Sequence, residues 1–204
     1  MSREKVKILG KTPAELGYTL PPEWHPHAAT WLSWPRPEGI SFPGKYESIP
    51  ENLARIIKEI APREQVHINV PDKKWAGIVR KQLKEYGCPT KNVFFHHIPT
   101  NENWCRDHGP AFIVKRAAGS GQRAAIVDWG FNAWGGKYPP FDDDDAVPTR
   151  IAEQLKLPVF YPTCDTGVAV VMEGGSVDFN GAGTVMTTKS CLLNRNRNPR
   201  LSKK

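Results

Sequence analysis

The densest chemistry in this sequence is Thr100-Asn-Glu-Asn-Trp-Cys-Arg-Asp-His-Gly-Pro110. The stretch gathers Glu102 and Asp107, Arg106, His108, Trp104 and the Cys105 thiol just ahead of a Gly-Pro turn. Apolar, strand-like residues flank it at 93–98 and 111–114. Polar groups crowded at a strand end mark a site, because loops held on a rigid scaffold carry chemistry. Asp107 is the foremost candidate, although Arg106-Asp107 also reads as a structural ion pair. A second carboxylate, Glu173, follows an apolar run and precedes Gly174-Gly175, where the backbone can approach a ligand closely. Two such carboxylates can converge on one small cation. A guanidinium suits them, being planar with five donors for bidentate contacts. Trp104, Trp129 or Trp134 could stack on its plane, or simply pack in a core.

The elements that must position these groups follow from periodicity and turn chemistry. Residues 28–34 read as a mostly buried strand, closed by Pro35 and Pro37. Ser48 and Glu51 fit a capping box, after which Leu53, Ile56, Ile57 and Ile60 recur on one helical face. Residues 65–70 form a strand. Asp72 caps a second helix with Trp75, Ile78, Val79, Leu83 and Tyr86 inward and Gly87 at its end. Strands are expected at 92–98, 111–115 and 124–129, with a turn at 119–122. Asp142 to Asp145 open a third helix facing inward through Val147, Ile151 and Leu155; four anions suit a helix N-terminus better than a cation site. Phe160 lies in a short strand. Residues 168–172 form a buried strand, and 176–179 and 184–188 a pair around Asn180-Gly181. The pattern is a mixed α/β repeat in one domain over residues 1–204, with 1–20 as a lead-in.

Composition narrows the class. A chain of 204 residues with 39% hydrophobic and 24% charged content supports a core. The net charge, 28 − 21 = +7, is scattered except near the two ends, and no aromatic-interleaved basic stripe supports nucleic-acid binding. No apolar run is long enough for a membrane span or a signal peptide. Cys88, Cys105, Cys164 and Cys191 form no C-x-x-C pair, which favours free thiols in a cytoplasmic setting. His25, His27, His96 and His97 lack metal-ligand spacing. Cys105, two residues before Asp107, would face the same way in an extended strand.

Several blocks then carry a resemblance. They are Pro22-Glu-Trp-His-Pro-His-Ala-Ala-Thr-Trp-Leu-Ser-Trp-Pro35, Trp104-Cys-Arg-Asp-His-Gly-Pro110, Asp128-Trp-Gly-Phe-Asn-Ala-Trp-Gly-Gly-Lys-Tyr-Pro-Pro-Phe141, Met172-Glu-Gly-Gly-Ser176 and Leu192-Leu-Asn-Arg-Asn-Arg-Asn-Pro199. In this order they resemble the agmatine deiminases and the bacterial, Porphyromonas-type peptidylarginine deiminases. The resemblance implies a pentein fold, a five-bladed α/β propeller of ββαβ units, of which roughly the first three are present. It implies hydrolysis of a guanidino group to a ureido group with release of ammonia, agmatine giving N-carbamoylputrescine on the route to putrescine. It implies a small guanidino substrate, no metal or organic cofactor, and allows a homo-oligomer. Asp107 and Glu173 match the family's guanidinium-binding carboxylates, and Trp104 a tryptophan near the substrate.

The resemblance also implies an absence. The family's nucleophilic cysteine and its general acid/base histidine belong to later blocks, beyond residue 204. Cys105 does not match the nucleophile. The 204-residue chain alone is therefore expected to be a C-terminally truncated form without activity, since a covalent route needs both groups. Other readings are a peptidylarginine deiminase and a non-catalytic binder of guanidino compounds.

Overall fold

The computed structural model describes residues 10–116 and 122–203. Contacts divide the chain into two compact units where composition shows no linker: Pro26–Cys105, and the segments up to His25 and from Arg106 onward. The turn expected at 119–122 begins outside the described residues.

The Pro26–Cys105 unit is a three-stranded parallel sheet with two crossover helices. Its order is β1 (Ala29–Ser33), α1 (Ile49–Ile60), β2 (Gln65–Val70), α2 (Lys73–Glu85) and β3 (Val93–His97), with β2 central. Alternation on β2 sends Val66, Ile68 and Val70 to one face, where they meet Ala54 and Ile57 of α1 and Ala76, Val79 and Leu83 of α2 in one core. The opposite face carries side chains that bond to each other. Trp31 Nε1 donates to Asn69 Oδ1 at 2.7 Å, Asn69 Nδ2 to Ser33 Oγ at 3.2 Å, and the rings of His67 and His96 share one bond at 2.7 Å. Burial holds His67 below the usual histidine pKa, helped by His96.

Helix starts divide the expectations. Asp72 Oδ1 accepts from Trp75 N at 2.8 Å, a true N-cap. Asp72→Ala should lower stability by about 1 kcal/mol in urea unfolding. The capping box at Ser48 does not form. Ser48 Oγ donates to Lys45 O, its backbone is already helical, and Glu51 pairs with Arg55 one turn on. Ile56, expected inward, is half exposed, and Ala54 takes the buried position. Tyr86, expected on the inner face of α2, is its partly exposed C-cap.

In the second unit, a short helix α3 (Cys105–His108) leads into β4 (Ala111–Arg116), antiparallel to β5 (Gln122–Val127). β5 runs parallel to β6 (Val159–Phe160) after the helix Val147–Leu155. Val147 and Ile151 are buried as expected, whereas Leu155 is partly exposed. The expected lead-in joins the fold: Tyr18 packs with Ile113, Ala125, Val127 and Phe160, and Thr19 pairs with Val114. The aspartate run serves individual contacts, with Asp143 on Arg150, Asp144 beside His108 and Asp145 accepting from Phe131 N. Residues 168–172 do not form a strand. They make only isolated bridges, Gly130 to Val171 and Thr163 to Ala169. β7 (Val177–Phe179) and β8 (Val185–Thr187) form a hairpin, its loop held by Asn180 Oδ1 accepting from Ala182 N and Thr184 N.

Candidate guanidinium site

Asp107 sits on the helical turn α3, not at a strand end. Residues two apart on a helix diverge by about 200°, so Cys105 and Asp107 do not share a face. The Glu102 carboxylate is structural, accepting from Ile40 N at 2.7 Å and Ser41 N at 3.1 Å and so closing that loop. Arg106 is exposed and pairs with Glu23, so Arg106-Asp107 is not a buried ion pair.

Asp107 instead meets the Glu173 segment. Its Oδ1 accepts from Gly175 N at 2.9 Å. Gly174 and Gly175 lie so close to α3 that a Cβ on Gly174 would fall 2.2 Å from Arg106 O, and one on Gly175 2.3 Å from Asp107 Oδ1. The glycine pair thus permits a close approach of two protein segments, which brings Glu173 within Coulombic reach of Asp107. Burial pushes the Asp107 carboxyl above its usual value, and the nearby Glu173 charge adds to this; the Gly175 N–H, Arg106 and a Trp134 hydrogen bond act the other way.

Glu173 is 3% exposed, and its Oε1 accepts from Arg197 Nε at 2.8 Å. Arg197 Nη1 donates to Asn196 Oδ1 at 2.9 Å. Asn198 is zipped to the backbone two residues before Glu173: Val171 N donates to its Oδ1 at 2.9 Å, and its Nδ2 donates to Val171 O at 2.7 Å.

Trp134 reaches Asp107 from an unusual backbone. Ala133, Trp134, Gly135 and Gly136 have φ of 49°, 58°, 87° and 74°, a left-handed turn that is costly for the two residues with a Cβ. Asn132 stabilises it, accepting from Gly135 N at 2.9 Å and donating to Asn196 O at 2.9 Å. His108, Phe131, Trp134 and Tyr138 follow as edge-to-face pairs with ring centroids 5.6–5.7 Å apart. Of the other tryptophans, Trp129 packs on the Tyr18 core, and Trp104, 41% exposed, belongs to the Pro26–Cys105 unit. Asp107, Glu173 and Trp134 are therefore assembled within one unit. Arg197, Asn198 and Asn196 complete the arrangement; the only signal for them was the Asn-Arg-Asn-Arg-Asn-Pro run, with no partner visible along the chain.

The Porphyromonas-type peptidyl-arginine deiminase family description matches residues 19–204. The chain belongs to this family. Among curated relatives of this deiminase family, the Pseudomonas putida agmatine deiminase is 35% identical over 97% of this chain and 50% of its own length. The agmatine deiminase structure from Enterococcus faecalis superposes with a TM-score of 0.81 at 32% identity, covering 97% of this chain and 51% of that one. A C. jejuni C315S agmatine deiminase with substrate bound gives 0.72 at 31% identity, over 91% and 50% of the two chains. The chain thus spans about half the length of these relatives. None of the four cysteines is joined in a disulfide. No helix of the described residues is long and apolar enough to cross a membrane, and no cluster of three or more metal-ligating side chains occurs among them.

Proposed function

We propose that this chain supplies the guanidinium-holding half of an agmatine deiminase-type hydrolase with the pentein fold. The observation that supports this reading is the contact of Gly174-Gly175 with Arg106-Asp107, with Glu173 within Coulombic reach of Asp107. Two carboxylates beside an indole suit a planar cation with several N–H donors and leave a simple ammonium under-used. Asp107 and Glu173 hold and orient the guanidinium, while attack on its carbon and protonation of the leaving ammonia fall to the cysteine and histidine that the family supplies in later blocks. Trp104 is proposed to line the substrate path. Agmatine is the favoured substrate, in keeping with the relatives, giving N-carbamoylputrescine in a cytoplasmic route to putrescine. Peptidylarginine offers the same guanidinium, and turnover of it in preference to agmatine by a chain of the relatives' full length would overturn that choice.

Calorimetry with the 204-residue chain tests the site. Agmatine should bind and putrescine, which has the amine without the guanidinium, should not. Asp107→Asn should weaken agmatine binding at least about tenfold, by removing a charge-assisted contact. Ammonia release from agmatine should not exceed the buffer control. Absence of heat at millimolar agmatine, with the protein folded, would sink the reading. The pH dependence has a fixed sign. Agmatine stays cationic while Asp107 must be ionised to meet it, so affinity falls as pH is lowered, and it does so earlier than for an ordinary aspartate because burial raises the Asp107 carboxyl. Persistence of the same pH dependence in Asp107→Asn would show that Asp107 does not face the ligand.

A further inference from the structure

Ligand binding by Asp107 and Glu173 does not itself explain the Asn-Arg-Asn-Arg-Asn-Pro run. Three of its consecutive residues grip the site from behind. Asn198 holds the backbone at Val171, Arg197 holds Glu173 itself, and Asn196 accepts from Arg197 and backs the left-handed turn that carries Trp134. The fit against that turn is tight, since a Cβ on Gly135 would fall 2.3 Å from Asn196 Nδ2.

We propose that Arg197 is a positioning residue of the guanidinium site, holding Glu173 by one oxygen and leaving the Asp107–Glu173 pair with one net negative charge to match one bound cation. This rests on the guanidinium reading for its ligand, but the contact of Arg197 with Glu173 stands on geometry alone. Arg197 and Glu173 are 10% and 3% exposed, so solvent screens their contact little. With Arg197 present, the charges of Asp107, Glu173 and Arg197 sum to −1, and one guanidinium brings the site to neutrality. Without Arg197 the Glu173 charge loses its buried counterion, and its repulsion of Asp107 is opposed by the exposed Arg106. Asp107, already held above its usual value by burial and the Glu173 charge, then takes up a proton more readily and becomes a poorer partner for a cation. Among the described residues the Arg197 bond is made to Glu173 Oε1 and none is made to Oε2, so the clamp selects which oxygen a ligand meets. Arginine suits this role because Nε meets Glu173 while Nη1 is tied to Asn196, so two anchors fix the guanidinium plane. A lysine keeps the charge and loses the second anchor.

The test is carboxyl-carbon NMR titration of Asp107 in the 204-residue chain, alongside agmatine calorimetry across pH. In Arg197→Met, the Asp107 titration should move further up, since the neighbouring Glu173 charge is no longer offset. Agmatine affinity at neutral pH should fall about tenfold, with its acid midpoint moving up in parallel. Arg197→Lys should restore the titration midpoints but not the full affinity; this variant decides the matter if Arg197→Met fails to fold. Unchanged titrations in Arg197→Met, or Lys midpoints displaced as far as expected for Met, would overturn the proposal. If the titrations move as expected but the wild-type chain takes up no agmatine, the clamp stands and the guanidinium reading falls.

Discussion

Glu173→Ala is expected to cost about 3–5 kcal/mol of stability and to abolish agmatine binding, the first because it strands a buried arginine. Arg197 meets Glu173 at 2.8 Å with both side chains almost wholly enclosed. The pair's net worth is modest, since bringing two charges out of water offsets much of their attraction. Removing one partner alone is a different matter, because the guanidinium keeps its desolvation cost and loses its counterion. Urea unfolding at neutral pH reads the loss. The double variant Glu173→Ala/Arg197→Met should recover most of it, since neither charge then remains. A single-variant loss below about 1 kcal/mol, the range of an exposed pair, would mean that Arg197 escapes to solvent and that the contact is not structural. The contrast with Asp107→Asn is informative. Asp107 has no buried arginine leaning on it, so that variant should keep its stability while losing affinity.

How much of this was legible in the sequence depends on whether a signal was local. β2 at Gln65–Val70 matches its expected bounds, because alternating apolar residues between a proline-marked helix end and Pro71-Asp72 leave little room for another register. The Asp72 cap was readable for the same reason: N-cap and first turn are adjacent in sequence. Ser48 shows the limit of that logic. Its hydroxyl had a second partner, Lys45 O, in the preceding turn, and residue types alone do not decide between two nearby acceptors. Residues 168–172 failed for a different reason. An apolar run predicts a strand, but Val168 is about half exposed, and the backbone of this run bonds to Gly130, Pro162, Cys164 and the Asn198 side chain in short isolated pairings instead of a ladder. For the site, the carboxylates stood out by type and by their neighbouring glycines. What those glycines touch did not, because Asp107 and Gly175, 68 positions apart, are brought together only by the fold. Arg197 was hidden in a tail that reads as solvated and basic; its burial depends on a carboxylate 24 positions earlier.

Gly174→Ala should be the most disruptive single-methyl change in the site. The added Cβ would meet Arg106 O at 2.2 Å, and that oxygen is backbone, so no rotamer relieves the contact. The backbone of Gly174 does not itself require glycine, since its φ is not positive; close approach is the whole reason for the residue. Relief therefore needs α3 and the Glu173 turn to move apart, which separates Asp107 from Glu173 and breaks the Gly175 N–H bond. A loss of about 1–3 kcal/mol is expected, as for overpacking elsewhere, together with loss of agmatine binding. Gly175→Ala makes the informative partner. Its Cβ would meet Asp107 Oδ1 at 2.3 Å, a side-chain atom that can rotate away. That variant should lose less stability than Gly174→Ala while losing agmatine affinity just as fully, because the displaced group is the carboxylate itself. Thermal unfolding and calorimetry on the two variants, side by side, check the pattern. Equal stability losses would mean that the α3 backbone yields as easily as a side chain, and retained binding in Gly175→Ala would remove Asp107 from the guanidinium's contacts.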